Sequence, residues 1–172
     1  MSNPTITINL EHGRKITAEL YPDRAPSNVK YFLSYVETYY YESVPVHTCI
    51  KDKVVAMSVF QKYGLGYGSE EFYEIFTEDS EEYETVGVHE KYPHEVGTLA
   101  LVEPQIPETC RQMLAVILTD EPIIRKGKPI VFRPIGKVLS GLEYAQEMSE
   151  IPTDEDDTPI DTVFLVESID VN

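Results

Sequence analysis

The N-terminal part of the chain alternates between apolar and polar side chains. In residues 5–10, and again in residues 16–20, every second position is apolar. A period of two is typical of a strand with one buried face. Because Glu11-His12-Gly13-Arg14 places a polar turn between the two runs, the sequence predicts an N-terminal β-hairpin.

A helical spacing follows the hairpin. Val29, Phe32, Leu33 and Val36 form one apolar stripe when they are placed on a helix. The proline at position 26 suits the first position of a helix. The spacing therefore predicts a helix over residues 26–37.

A second, shorter apolar stripe predicts another helix near the C-terminus. Leu142, Ala145 and Met148 share one helical face, and the stripe begins just after Gly141. The helix must end before Pro152, because proline cannot continue a helix interior.

Short apolar runs predict further strands in residues 54–57, 98–102, 114–118 and 164–166. Strands with two helices at separate places predict a mainly β fold, in which the sheet closes into a barrel and the helices cap it. Closure is favoured because it removes exposed sheet edges. We expect residues 1–172 to form one domain, since a chain of this length buries roughly two-thirds of its unfolded surface.

The charge of the chain narrows the classes of partner. There are 30 acidic and 14 basic residues, a formal net charge of −16. This charge repels nucleic acid and anionic membrane surfaces, and no run approaches the ~18 apolar residues of a membrane span. Cys49 and Cys110 are too few for a disulfide framework, so we expect two free thiols in a reducing cytoplasm. The oligomeric state stays open, with a monomer favoured.

Residues 61–93 differ in character from the rest of the chain. Gly64, Gly66 and Gly68 precede an acidic, tyrosine-rich stretch. The composition predicts a long surface loop, and long loops without secondary structure usually have a function. The acidic residues 69–84 are suited to salt-sensitive binding of a cationic surface.

No stretch of the sequence predicts a metal or cofactor site. Pro93 lies between His89 and His94 and prevents the shared helix face that a His-Glu-x-x-His zinc site needs. The acidic residues 154–157 lack the alternating carboxylates and central glycine of a calcium loop. The glycines in residues 64–68 lack the lysine and following helix of a phosphate loop.

Four blocks spread along the chain resemble the cyclophilin family of peptidyl-prolyl isomerases. They are residues 13–33 with Tyr40-Tyr41 behind them, the region around His47, Gly97-Thr98-Leu99, and residues 136–171 with Ile151-Pro152-Thr153 and Thr158-Pro159-Ile160. Each block alone is a weak signal, but their order is specific.

The resemblance implies an eight-stranded antiparallel barrel capped by two α-helices, with a groove on the barrel wall that takes a prolyl peptide. It also implies a chemistry. Rotation about an X-Pro bond has a barrier of roughly 20 kcal/mol, and a hydrogen bond to the proline nitrogen weakens the double-bond character of that bond. In cyclophilins an arginine donates this bond, and an apolar pocket holds the proline ring.

The family's Phe-His-Arg step is written Val46-His47-Thr48 in this chain, so Thr48 stands where the resemblance implies the catalytic arginine. Ala56 falls on the glutamine that orients the arginine. The remaining positions that the resemblance assigns to substrate binding are His47, Lys53, Val54, Val102, Glu103, Gln112, Met113 and Leu114. Past Leu118 the correspondence breaks down, with Ile123 taken for the family's tryptophan position. His47 also fits a structural role, and the apolar members of the set also fit ordinary barrel core.

Three hypotheses follow from these substitutions. The first is a module that binds a prolyl peptide or protein segment and has weak or absent isomerase activity. The second is a working isomerase that uses a substitute donor, either Lys53 or a loop arginine such as Arg111 or Arg125. The third is an acidic interaction scaffold that acts through residues 69–84.

Overall fold

The computed structural model describes residues 2–58, 94–102, 113–125, 127–130 and 132–172. These ranges contain ten strands: β1 (Thr5–Leu10), β2 (Lys15–Leu20), β3 (Val44–Ile50), β4 (Val54–Met57), β5 (Thr98–Val102), β6 (Leu114–Ile117), β7 (Ile124–Arg125), β8 (Lys128–Pro129), β9 (Phe132–Ser140) and β10 (Leu165–Val171). They also contain two α-helices, α1 (Pro26–Glu37) and α2 (Leu142–Ser149).

Eight of the strands close into a barrel in the order β1-β10-β3-β4-β6-β5-β9-β2. Every neighbouring pair is antiparallel, and β2 returns to pair with β1. The predicted barrel and its N-terminal hairpin are confirmed. Strands β7 and β8 form a separate two-stranded ribbon between β6 and β9.

The two faces of the barrel wall carry different sets of buried residues. An interior core draws on all eight barrel strands, with Ile6, Val55 and Leu99 among its members, and both helices add side chains to it. A second set, here called the outer cluster, lies on the other face of the wall. Its members are Val54, Ala56, Ala100, Ala115, Ile117, Ile123 and Phe132. Because side chains alternate along a strand, Val54 and Val55 belong to opposite sets.

Both helices were predicted from their spacing, and both are confirmed. Helix α1 buries Phe32, whose ring packs 5.5 Å from the ring of Tyr41. Helix α2 follows Gly141, which has a φ of +87°, and it buries Ala145 and Met148. Among the described residues no helix is long and apolar enough to cross a bilayer.

The longest strand, β9, is not visible as an apolar run. Arg133, Pro134 and Gly136 interrupt its alternation, and β9 is recognised only by its pairing with β2 and β5. The predicted loop over residues 61–93 lies outside the described residues, as do Cys110 and Arg111.

Gly136 permits a close approach of β9 to β2. A substitution at Gly136 therefore tests the described packing of these two strands. A Cβ at Gly136 would overlap the backbone carbonyl oxygen of Glu19. We expect Gly136→Ala to lower the free energy of unfolding by about 3 kcal/mol, the upper end of the range for overpacking, since the backbone cannot yield locally. Urea unfolding measures the change.

Gly13→Ala is the matched control, because a Cβ at Gly13 meets nothing within 4 Å and only the positive φ of +73° opposes it. We expect a loss of about 1 kcal/mol for this variant. Equal losses for the two variants would contradict the described packing of β9 on β2.

Candidate active site

A β-bulge in β3 shapes the site. Val46 pairs with Met57 and Thr48 pairs with Ala56, so His47 is an extra residue on β3 with no direct partner in β4. A bulge of this kind redirects side chains and is common next to active sites. It brings His47 and Thr48, which are adjacent in sequence, into direct side-chain contact.

His47, Thr48 and Ser58 form a buried polar network. The Nδ1 atom of His47 lies 2.7 Å from the Oγ1 of Thr48, and its Nε2 atom lies 2.8 Å from the Oγ of Ser58. The three residues are 1%, 8% and 0% exposed. Since a neutral imidazole has one donor and one acceptor nitrogen, the two hydroxyl groups satisfy both. The network is therefore fully compatible with an uncharged histidine.

Electrostatics keep His47 uncharged. Burial lowers the pKa of His47 to about 3, and the positive charge of Arg125 acts in the same direction. At neutral pH the imidazole carries no proton that would make it cationic. His47 therefore supplies no positive charge to this site at neutral pH.

The strand register places small residues in a row across the outer face. Thr48 pairs with Ala56, Ala56 with Ala115, Ala115 with Ala100, and Ala100 with Pro134. This row, here called the alanine row, crosses five strands and belongs to the outer face, since all three alanines are in the outer cluster. The three alanines are 0–3% exposed, so the row is the floor of an apolar trough that the larger side chains of the outer cluster cover, with Thr48 at one end.

The structure brings several of the predicted binding residues to this trough. Val54 and Ala56 are members of the outer cluster, and Val102 and Met113 pack against it. The backbone N–H of Val102 donates to the carbonyl oxygen of Met113 at 2.9 Å. Glu103 and Gln112 lie outside the described residues.

Two predicted positions need correction. Leu114 is fully buried in the interior core rather than in the groove wall, because its pairing with Leu101 turns it inward. Lys53, which the resemblance assigns to substrate binding, is exposed in the turn between β3 and β4. Its backbone is fixed there, since its N–H donates to Ile50 and its carbonyl oxygen accepts from Leu118.

Arg125, in strand β7, is anchored next to β3. Its Nε atom lies 3.3 Å from the Oδ2 of Asp157, and its guanidinium donates to the carbonyl oxygen of Asp156. The carbonyl oxygen of Asp157 in turn accepts a hydrogen bond from the N–H of Cys49 at 2.9 Å. This chain of contacts holds a cation beside the residue that follows Thr48.

The acidic residues 154–157 have a structural use in this loop. The Oδ1 atom of Asp154 accepts hydrogen bonds from the N–H groups of Asp156 and Thr158.

In the part of the chain that the structure describes, no three His, Cys, Asp or Glu side chains are grouped to hold a metal ion. Cys49 is a free, buried thiol, and burial together with the Asp157 carboxylate raises its pKa to about 12.

Sequence reasoning missed Ser58, the alanines of β5 and β6, and Phe132. Ser58 has the same parity as Val54 and Ala56, so extending that alternation by one step would have placed it on the outer face. The alanines at positions 100 and 115 carry no signal alone, and only the strand register aligns them. Phe132 is hidden because β9 itself is not apparent in the sequence.

Comparisons with known proteins agree on one family. The family model described as cyclophilin type peptidyl-prolyl cis-trans isomerase/CLD matches residues 5–170. A peptidyl-prolyl cis-trans isomerase of Arabidopsis thaliana is 26% identical over 165 residues, which cover 96% of this chain and 92% of that protein. One from Dictyostelium discoideum is 27% identical, with 98% of each chain covered.

Solved structures share the fold. A crystal structure of a Cryptosporidium parvum cyclophilin type peptidyl-prolyl cis-trans isomerase superposes with a TM-score of 0.67 at 16% identity, covering 99% of this chain and 98% of that one. A second structure of that protein, determined in the presence of the dipeptide Ala-Pro, gives a TM-score of 0.66 at 20% identity and covers 98% of each chain.

The buried, neutral state of His47 predicts a pH dependence of stability. Because the pKa of His47 is about 3 in the folded chain and about 6.5 when unfolded, the unfolded state binds more protons between these values. Stability must therefore fall as pH drops below 6.5. Between pH 7 and 4.5 this one residue should cost about 2–3 kcal/mol.

His47→Gln isolates the effect, since glutamine keeps a donor and an acceptor but does not titrate. We expect the stability difference between wild type and variant, measured by urea unfolding, to shrink by that amount at pH 4.5. The carboxylates titrate in both proteins and cancel from the comparison. A difference that stays constant with pH would show that His47 is not held neutral by burial.

Proposed function

The chain belongs to the cyclophilin type peptidyl-prolyl cis-trans isomerase family, and on that basis we propose that it binds a prolyl peptide or protein segment with weak or absent isomerase activity. The segment would lie along the outer face of β3, β4, β5 and β6, with its proline ring near the alanine row. The proposed binding requires no metal or cofactor.

The observation that carries this proposal is the state of Thr48. Thr48 is 8% exposed and its hydroxyl is hydrogen-bonded to His47, so the hydroxyl is engaged in the network. Threonine also offers one donor, whereas arginine offers five in a fixed fork that extends further. Losing one preorganised donor to a polar transition state typically costs about 10²–10³ in rate.

Binding is supported by the apolar character of the same face. Val54, Val102 and Met113 border the alanine row, and such a surface suits the ring of a proline. The related structure determined with Ala-Pro makes a prolyl ligand the natural probe for this chain. Lys53, which is exposed in the turn directly before Val54, adds a positive charge that would favour ligands with a nearby carboxylate.

Restoring the missing donor tests the proposal. We expect wild type to accelerate cis-trans exchange of an X-Pro tetrapeptide weakly or not at all in a protease-coupled assay. Thr48→Arg, alone or with Ala56→Gln to orient the guanidinium, should raise kcat/KM by about 10²–10³. Thermal unfolding of each variant checks that the fold is retained.

Thr48→Lys is the matched control, because it restores the charge without the fork of donors, and we expect little gain from it. Wild-type activity equal to that of ordinary family members would contradict the proposal. So would a gain in Thr48→Lys equal to that in Thr48→Arg, since charge alone would then be sufficient.

The position of Arg125 favours a second candidate, an active isomerase with a relocated donor. Its guanidinium is anchored beside β3, and its charge reaches His47 strongly enough to lower the pKa of that residue. In this case Arg125, rather than residue 48, would donate to the proline nitrogen.

Substitution of Arg125 separates the two candidates. Under the second candidate, Arg125→Gln lowers the wild-type kcat/KM by about 10²–10³, whereas Lys53→Gln leaves it unchanged. Under the first candidate, neither variant alters an already low rate. The protease-coupled assay used for Thr48 measures both.

A further inference from the structure

The connection between β6 and β9 returns to the outer face of the barrel at Ile123. This side chain is 1% exposed and is packed in the outer cluster together with the three alanines of the alanine row. Its neighbour Ile124 is 63% exposed. Two adjacent isoleucines therefore have opposite environments, one against the barrel wall and one in solvent.

The alanine row explains why there is room for Ile123. Ala56, Ala115 and Ala100 are directly paired across β4, β6 and β5, and each ends at its Cβ atom. Interiors are packed to nearly crystalline density, so a trough of this kind is filled by some side chain or ligand. The side chains of Ile123 and Phe132 complete the cluster over this wall.

Ile123 and Phe132 differ in how firmly they are held. Phe132 is part of β9, whose ladder with β5 fixes its position. Ile123 precedes the short ribbon of β7 and β8 and belongs to no barrel strand. Of the two, Ile123 is the one that no barrel ladder holds in place.

A few polar contacts hold the Ile123 segment against the wall. The N–H of Ile130 donates to the carbonyl oxygen of Ile123 at 2.8 Å, and the Nε2 of His94 lies 2.7 Å from the carbonyl oxygen of Glu121. Arg125 adds an ion pair with Asp157, with both side chains about 30% exposed, and a hydrogen bond to the carbonyl oxygen of Asp156. Partly exposed ion pairs contribute little to stability, so this pair adds little resistance to a displacement of the segment.

We propose that Ile123 is a specificity-determining residue that occupies the prolyl trough of the free protein and must move aside when a proline ring enters. This inference rests on the proposed binding function and adds the residue that controls entry. A ligand that binds only the open arrangement has an apparent affinity reduced by the fraction of molecules that are open. Truncating Ile123 removes the side chain that competes with the proline ring for the trough, and it leaves the barrel wall intact.

The experiment compares wild type, Ile123→Ala and Ile123→Val, with Ile124→Ala as the matched control from the same ribbon. The probe is a tetrapeptide that contains Ala-Pro, and its Kd is measured by NMR titration. We expect Ile123→Ala to bind about tenfold more tightly than wild type, Ile123→Val to fall between them, and Ile124→Ala to equal wild type.

A second measurement on the wild-type protein avoids any dependence on the folding of Ile123→Ala. With methyl-labelled isoleucines, saturation with the peptide should shift the δ1 methyl signal of Ile123 and leave that of Ile124 in place. An unchanged Ile123 signal in the presence of bound peptide would overturn the proposal.

The outcomes also separate this inference from the proposed function. If wild type binds the peptide and Ile123→Ala binds it equally well or less well, Ile123 is ordinary packing and only the present inference fails. If none of the four proteins binds the peptide while all remain folded, both the proposed binding function and the inference about Ile123 fail.

Discussion

Closure of the barrel is the constraint on which the rest of the structure depends. Once eight antiparallel strands are paired in a ring, the face that each residue occupies is fixed, because a slip of one residue would exchange the buried and outer sets. This constraint places Val55 and Met57 inside and Val54 and Ala56 outside. The bulge at His47 is a local break in this regular pairing, and it brings the side chains of His47 and Thr48 together at the site.

The candidate site is built around a neutral hydrogen-bonded network. A guanidinium near the outer face would offer several donors to a ligand, whereas His47, Thr48 and Ser58 satisfy one another. Burial makes a cationic His47 costly, and the nearby Arg125 adds to that cost. Arg125, a cation of this region, lies in the ribbon and forms an ion pair with Asp157. The residues that border the alanine row are apolar.

Much of the fold could be predicted from the sequence, because α1 and the first hairpin have undisturbed periods of 3.6 and two residues. The site was only partly predictable. The assignment of Thr48 to the position of the family's arginine stays a prediction. Leu114 lies on the interior face rather than in the groove wall, because a gapless correspondence ignores strand register. The alanine row arises only from pairing between distant strands. Ile123 could not be located from sequence, since the ribbon around it has no periodic pattern.

The most direct test of the account follows binding and exchange in one sample. In two-dimensional NMR of an X-Pro peptide mixed with the wild-type protein, binding shifts the peptide signals, and catalysis produces exchange cross-peaks between its cis and trans forms. The account predicts shifted signals with exchange cross-peaks that are weak or absent. Strong exchange cross-peaks at catalytic concentrations of protein would contradict it, because they would require a donor that Thr48 does not provide.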